Sequence, residues 1–382
     1  MYGDFMETHY QVIIIGAGPS GTSAGIKLQE FGIDCCIIDK AIFPRSKLCG
    51  GLITQKTIDL VPKLNIGAFN EHIVKFRTNK VNIDACSSSI SSFESSIPFT
   101  LVDRIDFDDY LFKKYKQLGG KAIEGVRISQ IDVASQSVLL SSGEQLSYDV
   151  LIGADGAMGI SSRFIGNVTL PMAFGIEASI PTNQLVQQPQ AITLDVGYLP
   201  DGYVWIFPKG LNTTIGLACS FKRNIDYVGV LKRYILNRCR VNPQYNIKGA
   251  FLPYGKHNAK ITQKQSKLLL VGDAAGFTDC VTGEGVYFAI KSGMIAADTI
   301  IESYPRHITR ICDCYEKNCS ELINLVNRSK RFMSFFFKNK SIMLKIIKGH
   351  SHPLAFICDH QVSQYDYHFE FFKLIRDYFR QR

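Results

Sequence analysis

The stretch Gln11-Val-Ile-Ile-Ile15-Gly16-Ala17-Gly18-Pro19-Ser20-Gly21, with an acid following at Asp39, governs the reading of the fold. Gln11–Ile15 is a short β-branched run, Pro19–Phe31 has helical spacing, and Cys35–Ile38 reads as a second strand. The glycines at the junction divide the work. Gly16 makes the tight turn, and Gly18 lets the backbone approach a pyrophosphate. Gly21 lets the helix pack closely on the strand, and the helix N-terminus attracts phosphate charge. Asp39 is placed to accept hydrogen bonds from both ribose hydroxyls. This pattern specifies a Rossmann-type dinucleotide site, with FAD and NAD still both open.

Two further acidic-glycine turns lie outward from it, each ending an apolar strand. Asp155-Gly156 follows Val150-Leu-Ile-Gly-Ala, and Asp273 follows Leu268-Leu-Leu-Val-Gly and precedes Ala274-Ala-Gly276. Ligands of open α/β sheets lie at the carboxyl ends of strands, so both turns are expected at the same cofactor. A carboxylate there can bind ribityl hydroxyls. Arg104, opening a helical run to Leu118 with Phe107, Leu111, Tyr115 and Leu118 on one side, suits a phosphate or an adenine edge. Together these features select FAD.

More specific segments are Phe43-Pro-Arg45-Ser-Lys47-Leu-Cys49-Gly50-Gly51 and Tyr203-Val-Trp205-Ile-Phe207-Pro208-Lys-Gly210. With Gly16–Gly21, Asp103-Arg104, Gly153–Gly156, Gly272–Gly276 and Gly283-Glu-Gly285, they make residues 10–300 resemble the geranylgeranyl reductase family, p-hydroxybenzoate-hydroxylase-like flavoproteins. One departure is Cys280, where that family usually has proline. The resemblance implies FAD contacts from Gly16, Ala17, Gly18, Ser20, Gly21, Asp39, Lys40, Arg45, Arg104, Asp273, Gly285 and Val286. It also implies contacts from Cys49, Gly50 and Gly51, from Asp155 and Gly156, and from Val126 as a strand residue whose backbone meets the adenine.

The fold class expected is α/β: a glutathione-reductase-like Rossmann FAD-binding domain, a β-rich substrate domain and a helical C-terminal region. The FAD domain is discontinuous (1–73, 101–172 and 262–300). The substrate domain comprises 74–100 and 173–261, and the helical region 301–382.

Cys49, before two glycines, is the candidate catalytic residue, either supplying a proton or positioning the flavin ring. Tyr203, Trp205 and Phe207 recur at every second position and share one face of a strand. With Pro208 they are the candidate substrate wall, holding an apolar substrate against the flavin. The implied reaction is reduction of an isolated C=C bond of an isoprenoid lipid or related apolar molecule. A monooxygenase or halogenase on the same fold is the alternative, although halogenases carry W-x-W-x-I-P where this chain has Tyr203 and Phe207. A flavin-binding protein without turnover is a third reading, disfavoured by the intact Cys49-Gly50-Gly51. No second Rossmann fingerprint is visible, so the electron donor, NAD(P)H or a redox protein, is expected to bind transiently.

Composition sets the outer bounds. The 382 residues carry a net charge of +9 and 46% hydrophobic residues. Eleven cysteines show no paired metal spacing and are expected as reduced thiols; no metal is expected. No apolar run fits a signal peptide or a membrane span. Between Glu321 and Asp359 no acidic residue occurs, while seven basic residues interleave with aromatics over 328–348. That segment fits either peripheral contact with a membrane surface or a capping helix with a solvated basic face. Nucleic-acid binding is not expected, because no recognised module accompanies the charge. The expected location is cytoplasmic, with the membrane's inner face open as a docking place.

Overall fold

A computed structural model describes residues 8–166, 171–242, 245–253, 259–348, 350–363 and 367–380. The strand Thr8–Ile15 lies in a sheet between Cys35–Asp39 and Gln145–Gly153, parallel to both. Lys121–Glu124 extends one side, and Leu268–Leu270 and Thr262–Gln263 the other. A hairpin of Ile128–Asp132 and Ser137–Leu140 joins Gln145–Gly153. Val12, Ile13, Cys35 and Cys36 are all fully buried although neighbours point to opposite faces, so both faces of this sheet are covered. The helix Pro19–Glu30 packs against Arg104–Gln117 and Val286–Ser303. Tyr115 Oη donates to the backbone oxygens of Lys121 (2.8 Å) and Cys35 (3.0 Å), fixing its helix to the sheet.

Two expectations need correction here. Leu118 is exposed, since the helix ends at Gln117 and the chain turns away before it can pack. Val126 is not a strand residue: the strand stops at Glu124, and Val126 N–H instead donates to the backbone oxygen of Asp39 (3.2 Å) in the loop that follows.

The second sheet runs Ile247–Pro253, Met172–Pro181, Asn212–Ser220, Gly202–Lys209, Ile192–Val196, Val74–Ala85, Ser88–Val102 and Leu52–Ile53. Its pairings are antiparallel except Ile192–Val196 with Val74–Ala85. The period of two sorts Gly202–Lys209 cleanly. Val204 and Ile206 join a core under the helix Tyr227–Tyr234, while Trp205 and Phe207 join Val81, Phe99, Leu101 and Ile192.

Beyond residue 303 the described residues are helical or lie in turns, with helices Ile311–Asn318, Ser320–Lys338, Lys340–Ile347, Ser351–Ser363 and Tyr367–Arg380. Phe332, Met343, Ile346, Leu354, Phe371 and Leu374 form their own core, against which Ile83, Ile90 and Phe93 of the second sheet pack. Asp359 anchors this layer, accepting from Ser95 Oγ (2.6 Å), Ser96 N–H (2.9 Å) and Ser96 Oγ (2.7 Å). Among the described residues no helix is long and apolar enough to cross a membrane.

Candidate active site

One cavity of about 770 Å³ runs along both sheets and ends under the C-terminal helices. Its polar end begins at the glycine turn. Gly16 has φ +105°, and a Cβ there would come within 2.5 Å of the Ala154 carbonyl oxygen. A Cβ on Gly21 would collide with the carbonyl oxygen of Gly16, so this glycine closes helix onto strand. Gly16, Gly18 and Ser20 line the cavity, while Ala17 and Gly21 stand behind it. Ala17 still contributes, because its N–H donates to Asp39 Oδ2 (2.7 Å) while Ala41 N–H donates to Oδ1 (2.8 Å). Asp39 is therefore held rigidly, with both oxygens retaining a lone pair. Gly18 is the N-cap of Pro19–Glu30, and no side chain caps that helix. Lys40, Arg45 and Val126 complete this end.

Arg104 lines the cavity and holds a carboxylate of its own. Its Nε and Nη2 grip the two oxygens of buried Asp108 at 2.7 and 2.9 Å, and Arg45 Nη1 adds a contact to the same carboxylate at 3.2 Å. Burial alone would push the Arg104 guanidinium down. Asp108 and the neighbouring Cys49 sulfur more than offset this and hold it charged. Arg104 thus joins the Cys49 turn to the phosphate end through Asp108, one helical turn along.

Cys49, Gly50 and Gly51 line the middle of the cavity. Cys49 Sγ accepts from Gly51 N–H (3.4 Å), and Cys49 N–H donates to Glu177 Oε1 (3.1 Å). Glu177, from the second sheet, was not anticipated: nothing local marks it, and its role follows only from the two sheets meeting. Burial pushes its carboxyl up against the pull of Lys209, and its Oε2 is buried without a hydrogen-bond partner. Phe207 packs so closely on Gly50 that a Cβ would lie 2.7 Å from its ring. Tyr203, Trp205 and Phe207 all line the cavity with successive ring centroids 6.2 Å apart, whereas Pro208, on the opposite face of the strand, does not. Trp205 Nε1–H is buried and unpaired beside Gly50, the state expected of a donor whose acceptor arrives with a ligand.

Asp155, Gly156, Asp273, Gly285 and Val286 close this region. Asp155 is already engaged: Ser161 N–H (3.0 Å) and Ser161 Oγ both donate to it, so it organises the turn into the helix Ile160–Phe164. Burial raises its pKa, and these bonds oppose the rise. Asp273 receives only a long bond from Thr278 Oγ1 (3.4 Å). Gly285 is the N-cap of Val286–Ser303, again without a side-chain cap. Next to it, Glu284 of the Gly283–Gly285 motif accepts from Thr54 Oγ1 (2.5 Å) and pairs with buried Lys56 (2.9 Å).

These residues fit FAD. Two uncapped helix starts face one cavity, one beside a glycine turn for a pyrophosphate and one beside Asp273 for the polar edge of an isoalloxazine. Asp39 would offer its carboxylate to ribose hydroxyls, and Arg45 and Lys40 would supply positive charge. A family model for an FAD-binding domain matches residues 9–193. An uncharacterized protein of Methanosarcina barkeri is 31% identical over 345 residues, 89% of this chain and 87% of that protein. Geranylgeranyl diphosphate reductase of Synechocystis is 29% identical, covering 76% of this chain and 75% of the relative. The chain belongs to the geranylgeranyl reductase family of FAD-dependent oxidoreductases. FAD is its cofactor.

Menaquinone reductase of Mycobacterium tuberculosis is 25% identical, with 76% of each chain covered. Among solved structures, a geranylgeranyl bacteriochlorophyll reductase-like protein of Thermoplasma acidophilum superposes with TM-score 0.80 at 20% identity, covering 96% of this chain and all of that one. The flavin-dependent brominase Bmp2 shares the fold at TM-score 0.69 and 17% identity, covering 98% of this chain and all of that one. When bound and reduced, FAD supplies hydride chemistry to this reductase-family site, and the chain's own residues orient and desolvate what receives it.

Proposed function

We propose that this family member saturates isolated C=C bonds of an isoprenoid lipid or a related apolar molecule. The observation that carries the reading is the continuity of the cavity. Past the Trp205–Phe207 wall it runs on between Val81, Ile83, Phe93 and Ile192 of the sheet and Phe332, Phe336, Leu354 and Phe371 of the helices. Such an arm holds a hydrocarbon chain without offering it a hydrogen bond, and it excludes water from the carbon being reduced. Relatives that are geranylgeranyl diphosphate and menaquinone reductases support the same class.

Cys49 is the proposed acid. Its sulfur lies in the turn that meets the cofactor, beside the charged Arg104 guanidinium. Gly50 brings backbone and aromatic wall together at the same point, and Glu177 holds the turn by its Cys49 N–H. Electrons reach the flavin from NAD(P)H or a redox protein that docks transiently.

The test is anaerobic. Reduced protein is mixed with candidate polyprenyl lipids in detergent, flavin reoxidation is followed by absorbance, and products are weighed. A gain of two hydrogens per bond supports the reading. In a parallel aerobic reaction, oxygen consumption with an oxygen or halogen atom added to an aromatic substrate would instead identify a monooxygenase or halogenase, the reading that the fold shared with Bmp2 keeps in view.

A further inference from the structure

The 328–348 segment divides in two once folded. Phe332 and Met333 face inward, as do Met343, Ile346 and Ile347, so half of its large apolar residues are core. Phe335, on the helix Ser320–Lys338, is not: it is 38% exposed. It shares a stripe with exposed Arg331 and Lys338, at spacings of four and three residues. The helix Tyr367–Arg380 carries a matching stripe of Phe372 (45% exposed), exposed Arg376 and Phe379 (56%). The stripes meet where the Phe335 and Phe372 rings approach to 5.8 Å between centroids. Asp377, bonded to Arg376 at 2.9 Å, is the acid at this face.

A helix packed on a domain turns polar residues away from its core. These two present large aromatics on both sides. Their inner faces place Phe332, Phe336 and Phe371 in the apolar arm of the cavity, while their outer faces present aromatics set among basic groups to solvent. Rings flanked by guanidinium and ammonium groups match the interfacial layer of a bilayer, where the rings enter the acyl boundary and the cations meet phosphate. Between Glu321 and Asp359 no acid opposes that attraction, and Asp377 stands against the three cations Arg331, Lys338 and Arg376.

We propose that the face formed by Arg331, Phe335, Lys338, Phe372, Arg376 and Phe379 docks on an anionic lipid bilayer, bringing the apolar arm to the membrane so that a lipid substrate enters without crossing water. The choice of a lipid substrate rests on the proposed reductase function; the docking surface does not require turnover.

The test uses the full chain loaded with FAD in flotation with phosphatidylglycerol–phosphatidylcholine vesicles and with phosphatidylcholine vesicles alone. The wild type is expected to float with the anionic vesicles at least about tenfold more than with neutral ones, and to be released by salt. Arg331→Glu with Lys338→Glu, or Phe335→Ser with Phe372→Ser and Phe379→Ser, is expected to abolish flotation while retaining bound flavin. No flotation of the wild type overturns the proposal, as does equal flotation on both vesicles or variants that float like the wild type. Sedimentation showing a dimer that the Phe variant dissolves would assign the face to a second copy instead. Should a variant fail to retain flavin, the salt series on the wild type still decides. Flotation without lipid-driven reoxidation in detergent sinks the reductase reading alone, and the reverse result sinks only the docking surface.

Discussion

The two ends of the cavity are built differently. The polar end takes its lining from short runs, the glycine-containing Gly16–Ser20 and Cys49–Gly51 together with Asp39–Lys40, and offers main chain as much as side chain to a cofactor. The apolar arm takes single side chains, one or two at a time, from strands around Val81, Phe93 and Ile192 and from helices more distant in the chain. At the first end each position has a geometric duty that few residues can meet. At the second, volume and hydrophobicity suffice, and many sequences would serve. Substitutions at the two ends should therefore fail in different ways.

The largest expected effect is at the glycine turn. Gly21→Val drives a side chain into the Gly16 carbonyl, and flavin per mole of purified protein should fall by more than about tenfold, read from visible absorbance. Next is Asp39→Ala, which removes the acceptor of two backbone N–H bonds as well as the ribose site. A loss of about 3 kcal/mol, or roughly a hundredfold in FAD dissociation constant, is expected in fluorescence titration of the apoprotein. In the arm the effect should move from cofactor to lipid. Phe332→Ala is expected to cost about 3–5 kcal/mol of stability and to slow polyprenyl-driven reoxidation, with FAD affinity unchanged. A fall in FAD affinity matching that of Asp39→Ala would erase the distinction between the two ends.

The smallest effect lies where the ends meet. Burial holds the Glu177 carboxyl above its ordinary 4.5, so the folded state keeps a proton that the unfolded state releases first. The stability this contributes is complete below about pH 4.5 and declines as pH rises toward the folded-state value. Glu177→Gln retains an acceptor for Cys49 N–H and removes that decline. Its melting temperature relative to wild type should therefore rise between pH 4 and pH 8. A constant difference across that range would show that the carboxyl titrates as it does in solvent.

How much of this was legible followed the same division. Gly16, Gly21 and Asp39 could be read from spacing, because a turn that brings backbone to phosphate restricts residue type at fixed intervals. The Tyr203–Trp205–Phe207 wall was legible from its period of two, although Pro208 belongs to the other face. An arginine in sequence does not display its partner, and the fold pairs the Nε–Nη2 edge of Arg104 with Asp108. Asp155 likewise gains a local partner that spacing does not announce, Ser161. Glu177 and the lining from Phe332, Phe336 and Phe371 carry no local signature. They become part of the site only when sheet meets sheet and helices close over the edge.

The order of strands in the first sheet bears on how the chain leaves the ribosome. Thr8–Ile15 is made well before one of its two neighbours: Gln145–Gly153 comes well over a hundred residues later, and Leu268–Leu270 later still. Pairings so far apart in sequence close slowly, and until they form, a β-branched early strand is left with unpaired edges open to other nascent chains. The prosthetic group therefore has no finished seat until Leu268–Leu270 and the turn after it have been made, and exposure to aggregation during translation is a cost written into this topology.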